Sequence, residues 1–247
     1  YMSINRFDRI FDLFYWPVLD IFIWGFMTSY IHNIADINLM SIVLGGIILW
    51  VFVWRASQDI TVYLLEDFWS KSLYNLFSSP VMLKELVISL LLLGVIRAFI
   101  SFLFLSTIAL LLYSMNIFSL GIISLAVFVL SLLIFAWAIG LFISAFIMRW
   151  GSRVQVLAWS VVWLVQPFSC VFYPLSALPQ WAQPIARMLP TTHVFEGMRA
   201  VMQGNSISLM QFLNPIIISI VFFIACYFFL YSSFKQAKSK GLLAKNE

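Results

Sequence analysis

The sequence predicts an all-α integral membrane protein with six transmembrane helices. Of its 247 residues, 63% are hydrophobic and only 10% charged, against roughly 25% charged in a soluble domain; the mean hydropathy is +1.02. The apolar residues gather into runs near the roughly 20 residues needed to span a bilayer core. Lys and Arg are concentrated in alternate connections, the signature of a fixed orientation.

At the N-terminus, residues 3–13 put Ile4, Phe7 and Phe11 on one helical face and Asn5, Arg6, Asp8, Arg9 and Asp12 over much of the rest. This pattern predicts a helix lying in the interface plane. Spans follow at about 14–31 and 39–57. The next connection contains a helix-compatible stretch, about 62–77, with Leu65, Phe68, Trp69, Leu73, Leu76 and Phe77 at spacings of three and four. Glu66, Asp67, Ser70, Lys71 and Asn75 give it a polar side, and Ser78-Ser79-Pro80 ends it. The periodicity suits a helix that transmits force to a partner and a plain surface helix equally.

Spans three and four, about 82–113 and 118–148, are divided at Tyr113-Ser114-Met115-Asn116, the polar turn-like cluster in a stretch without charge. The fifth span is placed at about 154–173 and the sixth at about 212–234. Between them Pro174, Pro179, Pro184 and Pro190 recur in a segment that is still fairly apolar. Proline removes a helix hydrogen bond and clashes with the preceding turn. Broken backbone at membrane depth survives only where protein buries it or water reaches it. Residues 174–204 are therefore expected to form re-entrant helices.

With a cytoplasmic N-terminus, the inner segments hold Arg6, Arg9, Arg55, Lys71, Lys84, Arg149, Arg153, Lys235, Lys238, Lys240 and Lys245, eleven of the 14 basic residues. Both termini are then cytoplasmic and the re-entrant segment lies outside. Trp16, Trp54, Trp69 and Trp150 fall near the inner boundary and are read as ordinary interfacial anchors. The net charge of +4 does not imply nucleic acid, because the basic residues are dispersed over loops. Cys170 and Cys226, both in apolar runs, are read as small buried hydrophobes.

Arg97 lies within the third span, about 18 Å from its cytoplasmic end at helical rise. An arginine at the bilayer centre costs about 2.5–3.5 kcal/mol on insertion scales, so it needs a partner or water. Asp20 in the first span is the expected partner. Glu196 and Arg199, three apart, share a helix face, with His193 beside them as a structural hydrogen-bonder. Ala136, Gly140 and Ser144 form a small-residue stripe that allows close helix approach, inside the subunit or between subunits. No acid, nucleophile or metal cluster is apparent, and no G-x-x-x-x-G-K-[ST] phosphate loop occurs.

Three stretches carry a family resemblance. FYPLSALPQWAQPIARMLPTTHVFEGMR is similar to the aromatic-Pro, Leu-Pro and closing Glu-Gly-x-Arg pattern of the membrane subunits of ABC-2-type exporters. LLEDFWSKSLYNLFSSP resembles their first coupling helix, and Arg149-Trp150-Gly151-Ser152-Arg153-Val154-Gln155 their short basic loop before span five. The resemblance implies a bacterial inner-membrane permease that dimerises with a second copy of itself. It also implies two cytoplasmic ABC ATPase subunits, which hold the ATP and magnesium; this chain needs no cofactor.

In such an arrangement Glu66, Asp67, Phe68, Trp69, Lys71 and Leu73, with Arg149 and Arg153, would meet the ATPase. Phe172, Pro174, Leu178, Pro179, Pro190, Glu196 and Arg199 would form an outer gate. The substrate would pass between spans two and five, along Trp50, Phe52, Trp159, Trp163 and Phe168. That aromatic lining points to a drug or lipid. A lipid-linked glycan is the near alternative, and an ion-coupled carrier or intramembrane enzyme the distant ones.

Overall fold

The computed structural model describes residues 7–32, 39–69, 83–205 and 207–239, with side chains at a few further positions left undescribed. Among these residues the secondary structure is helical, without strands. The long helices are α1 (Phe7–His32), α2 (Leu39–Trp69), α3 (Leu83–Tyr113) and α4 (Ile122–Trp150). A short α5 (Leu157–Val165), two short helices α6 (Gln183–Met188) and α7 (Pro190–Met202), and a long α8 (Leu209–Ser239) complete the order. Four helical stretches, Met40–Glu66, Val87–Tyr113, Ile122–Trp150 and Leu209–Ala237, are long and apolar enough to cross a membrane.

Side-chain contacts fix the helix directions. Phe128 stacks on Phe212 and Phe135 meets Phe222 edge-on, so α4 and α8 run parallel. Phe14 meets Phe104, and Gly25 lies under the Tyr113 ring, so α1 and α3 also run parallel. α2 runs against α3, with Phe52 packed on Phe99 and Phe102. The bundle therefore has a Tyr113 end and a Trp150 end. The start of α1 and the end of α8 both lie towards the Trp150 end.

Small residues set the closest approaches. A Cβ on Gly94 of α3 would lie 3.3 Å from the Ala56 backbone of α2. One on Gly140 of α4 would lie 2.7 Å from Ile60 Cδ1. Ala136, Gly140 and Ser144 are all buried within the subunit, so the stripe is internal packing here. Along the α4–α8 seam Ser219 Oγ donates to the Ser131 carbonyl at 3.0 Å, and the two hydroxyl oxygens are 3.1 Å apart. This interhelical bond satisfies polar groups in an otherwise apolar contact.

Element boundaries differ from the sequence reading in three places. α1 is one helix from Phe7, with no break between the expected interfacial segment and the first span. α2 continues through Arg55, Ser57, Gln58 and Asp59 to Trp69. The expected loop there is helical because its polar side chains face a cavity and neighbouring helices, leaving the backbone ladder intact. The first part of the expected 62–77 helix is therefore the end of α2; positions 70–77 lie outside the described residues. Finally, α5 and the 3-10 turn after it cover only Leu157–Ser169, about 20 Å at helical rise. Pro167 interrupts the hydrogen-bond ladder and Cys170 takes a left-handed φ of 55°.

Candidate functional site

Two adjoining cavities open between α1, α2 and α5. The one nearer the Tyr113 end has a volume of about 230 Å³ and is lined mainly by apolar and aromatic side chains. The one nearer the Trp150 end is larger, about 540 Å³, and more polar. Trp16, Trp54 and Trp163 border both. The sequence reading assigns Trp16 and Trp54 to interfacial anchoring; in the structure both also border these cavities. Their signal was present in the spacing. Trp16, Asp20 and Trp24 recur at four-residue intervals, as do Trp50 and Trp54, and Trp159 and Trp163. Such intervals place side chains on one helix face.

The expected path residues divide. Trp50 lines the smaller cavity, Trp159 the larger, and Trp163 both. Trp163 meets Trp54 edge-on at 5.4 Å. Phe52 does not join them: it is 0% exposed and wedged between α2 and α3. It points the other way because it sits two residues from both Trp50 and Trp54, roughly the opposite side of a helix. Phe168 packs towards Trp181 rather than into either cavity.

A buried ion pair lines the larger cavity. Arg97 Nη1 lies 2.6 Å from Asp59 Oδ1, with the two side chains 13% and 7% exposed. The expected partner was Asp20; the structure gives Arg97 the α2 carboxylate instead. α3 approaches α2 closely at Gly94–Ala56, one turn from both residues, which brings Arg97 to Asp59. Asp20 lines the smaller cavity. Gln58 extends from the same stretch of α2 and donates from Nε2 to the Ala158 carbonyl at 2.6 Å, tying α2 to the start of α5.

The segment between α5 and α8 caps the smaller cavity at the Tyr113 end. Phe172 lines that cavity and stacks on Trp24 of α1, centroids 4.2 Å apart. Gly46 of α2 makes room for the turn, whose Val171 carbonyl oxygen would stand 2.6 Å from a Cβ there. Thr191 Oγ1 donates to Ser169 Oγ at 2.9 Å, and Thr192 Oγ1 to the Phe168 carbonyl at 3.1 Å. Both threonines sit in the first turn of α7, which Pro190 begins; proline is suited there because no helical N–H is lost.

Glu196 Oε1 accepts from the Leu175 N–H at 2.8 Å and from Arg199 Nη2 at 2.9 Å. One carboxylate thus fastens the loop after Pro174 to α7 and neutralises a largely buried guanidinium. His193 Nε2 lies 2.9 Å from the Arg187 carbonyl, a structural contact between α6 and α7. The Leu178 and Pro179 carbonyls accept from Gln183 Nε2 and Ala182 N–H.

Of the expected ATPase contacts, Glu66 lines the larger cavity. Asp67, Phe68 and Trp69 occupy the last turn of α2, and their side chains, with all of Lys71 and Leu73, lie outside the described residues. Arg149 lies over the Trp150 ring, 5.1 Å from its centroid, a cation–π geometry. Arg153 is exposed in the 3-10 turn that follows.

These features define a polytopic helical membrane protein with cavities inside the bundle and a folded-back segment across one end. The sequence matches the ABC-2 type transporter family over residues 3–203, and the chain belongs to that family. It is a membrane permease component of an ABC transporter and not itself catalytic. Comparison with curated proteins gives no significant match.

Proposed function

We propose that the chain is half of a six-span exporter permease in a bacterial inner membrane, acting as a homodimer on two cytoplasmic ATPase subunits that bind ATP and magnesium. It moves a hydrophobic or amphipathic substrate out of the cytoplasm or inner leaflet. The observation that carries this reading is the aromatic cavity between α1, α2 and α5, continuous in its lining with a polar cavity towards the Trp150 end. The gradation suits a molecule that enters from water or the headgroup region and is held by apolar surface.

In this reading α1 and the α5 segment supply the remaining two spans, the Trp150 end is cytoplasmic and the Tyr113 end outside. The bases Arg149, Arg153 and Lys235 at the Trp150 end agree with the positive-inside rule. α2 is a single rod from the cavity wall to Trp69. Closure of the ATPase pair, acting on the 62–77 region, would tilt that rod and change the cavity. Phe172 on Trp24, with the Glu196-fastened loop behind it, would be the outer gate.

The test is reconstitution. The permease, co-expressed with an ATPase subunit and placed in liposomes, is expected to co-purify with it and to move a fluorescent amphiphile only with ATP and magnesium. No association with an ATPase and no nucleotide-dependent flux would overturn the reading. Flux of a lipid-linked glycan but of no amphiphile would replace its substrate class.

A further inference from the structure

The smaller cavity combines two features that the apolar-substrate reading leaves unused. Five of the chain's ten tryptophans, Trp16, Trp24, Trp50, Trp54 and Trp163, line it. Asp20 is the one ionisable residue among its lining. Asp20 lies twelve residues before the end of α1 at His32, about 18 Å along the helix, and its side chain is exposed to the cavity. Among the described residues it has neither an ion-pair nor a hydrogen-bond partner.

The larger cavity offers a contrast. Its charged lining, Arg55 and Arg97 with Asp59 and Glu66, sums to zero. The path therefore carries one uncompensated negative charge, set among tryptophan side chains. A carboxylate inside a membrane bundle is costly and calls for a function. Indole rings attract cations through their negative faces, most strongly where water is excluded. A neutral lipid would gain no charge pairing from Asp20, and an anion would be repelled by it.

We propose that this cavity is a binding site for a lipophilic monocation, such as a quaternary ammonium or phosphonium, with Asp20 as counter-ion and the tryptophans as its apolar and cation–π walls. The inference deepens the exporter reading and rests on it for the fate of the bound molecule. The binding step itself needs only the permease.

The experiment measures equilibrium binding of radiolabelled tetraphenylphosphonium to the purified permease in detergent, with tetraphenylborate as the probe of matched shape and opposite charge. The phosphonium is expected to bind and the borate to compete poorly. Asp20→Asn should weaken phosphonium binding about tenfold or more, and Asp20→Glu should restore most of it. Trp163→Leu, at a residue 57% exposed and so tolerant of change, should lower phosphonium affinity several-fold. It keeps the test open if Asp20→Asn does not fold.

Equal binding of the two ions, or phosphonium binding indifferent to both Asp20→Asn and Trp163→Leu, overturns the proposal. Such a result together with ATP-driven flux of a neutral amphiphile would leave the exporter reading standing. Selective phosphonium binding without any ATPase association would do the reverse.

Discussion

Gly46→Ala tests whether the folded-back segment is held against α2 by backbone contact. The added Cβ would lie 2.6 Å from the Val171 carbonyl oxygen and 3.3 Å from Val171 Cγ1, whereas ordinary contact begins at 3.4 Å. The shortfall of about 0.8 Å falls on a backbone atom, so no rotamer change relieves it. The turn is held from behind by the Thr191–Ser169 and Thr192–Phe168 hydrogen bonds, so α2 and the turn must separate. Overpacking of this kind costs about 1–3 kcal/mol, which multiplies the population of an opened turn by about 5–150. Cys170, next to Val171 and 0% exposed, reports that opening. In a Cys226→Ser background, maleimide labelling of Cys170 should accelerate by a factor in that range when Gly46 becomes Ala. An unchanged labelling rate would show that the turn does not bear on α2, and the assignment of Phe172 as a gate would lose its support.

Three further outcomes follow from the packing. Arg97→Gln and Asp59→Asn should each destabilise the detergent-solubilised protein, the double variant by less than their sum, with a coupling of about 1–3 kcal/mol; additive losses of thermal stability would refute the pair. Glu196→Ala removes the acceptor for both the Leu175 N–H and Arg199. It should cost about 1–3 kcal/mol, whereas Glu196→Gln, which keeps an acceptor oxygen, should cost less; equal thermal shifts would contradict the double role. Gly140→Leu should prevent proper folding, because even a Cβ there is 3.0 Å from Ile60 Cβ; a monodisperse, undiminished gel-filtration peak would argue against that close α2–α4 approach.

The helical architecture was legible because it follows from composition and from proline, both of which act locally. The partner of Arg97 was not. Choosing it by depth favoured Asp20, but depth along a straight span ignores that α2 continues as helix past Arg55. A loop reading of the stretch after Arg55 hides Asp59 from that choice. The continuation depended on a polar cavity existing beside α2, a tertiary fact that residues 55–69 alone do not state. Phe52 illustrates a different limit. It neighbours Trp50 in one span, yet the helical angle between positions two apart separates them, and the four-residue interval pairs Trp50 with Trp54 instead.

The contacts also divide the bundle by what each part can do. The α4–α8 seam is closed by ring pairs from Phe128–Phe212 to Phe146–Phe229 and by the Ser131–Ser219 bond. α2 is gripped by α3 at Gly94 and by α4 at Gly140 on one side, while its other side borders both cavities. A rod gripped closely on one flank and bordered by cavities on the other moves at lowest cost towards the cavities, since tight interior contacts resist displacement. Displacing α2 that way narrows the space between Trp50, Trp54 and Trp163. It also shifts Gly46 relative to Val171, the contact that seats the turn bearing Phe172. One helix therefore touches the smaller cavity and the turn that caps it, and a small tilt of it changes both together.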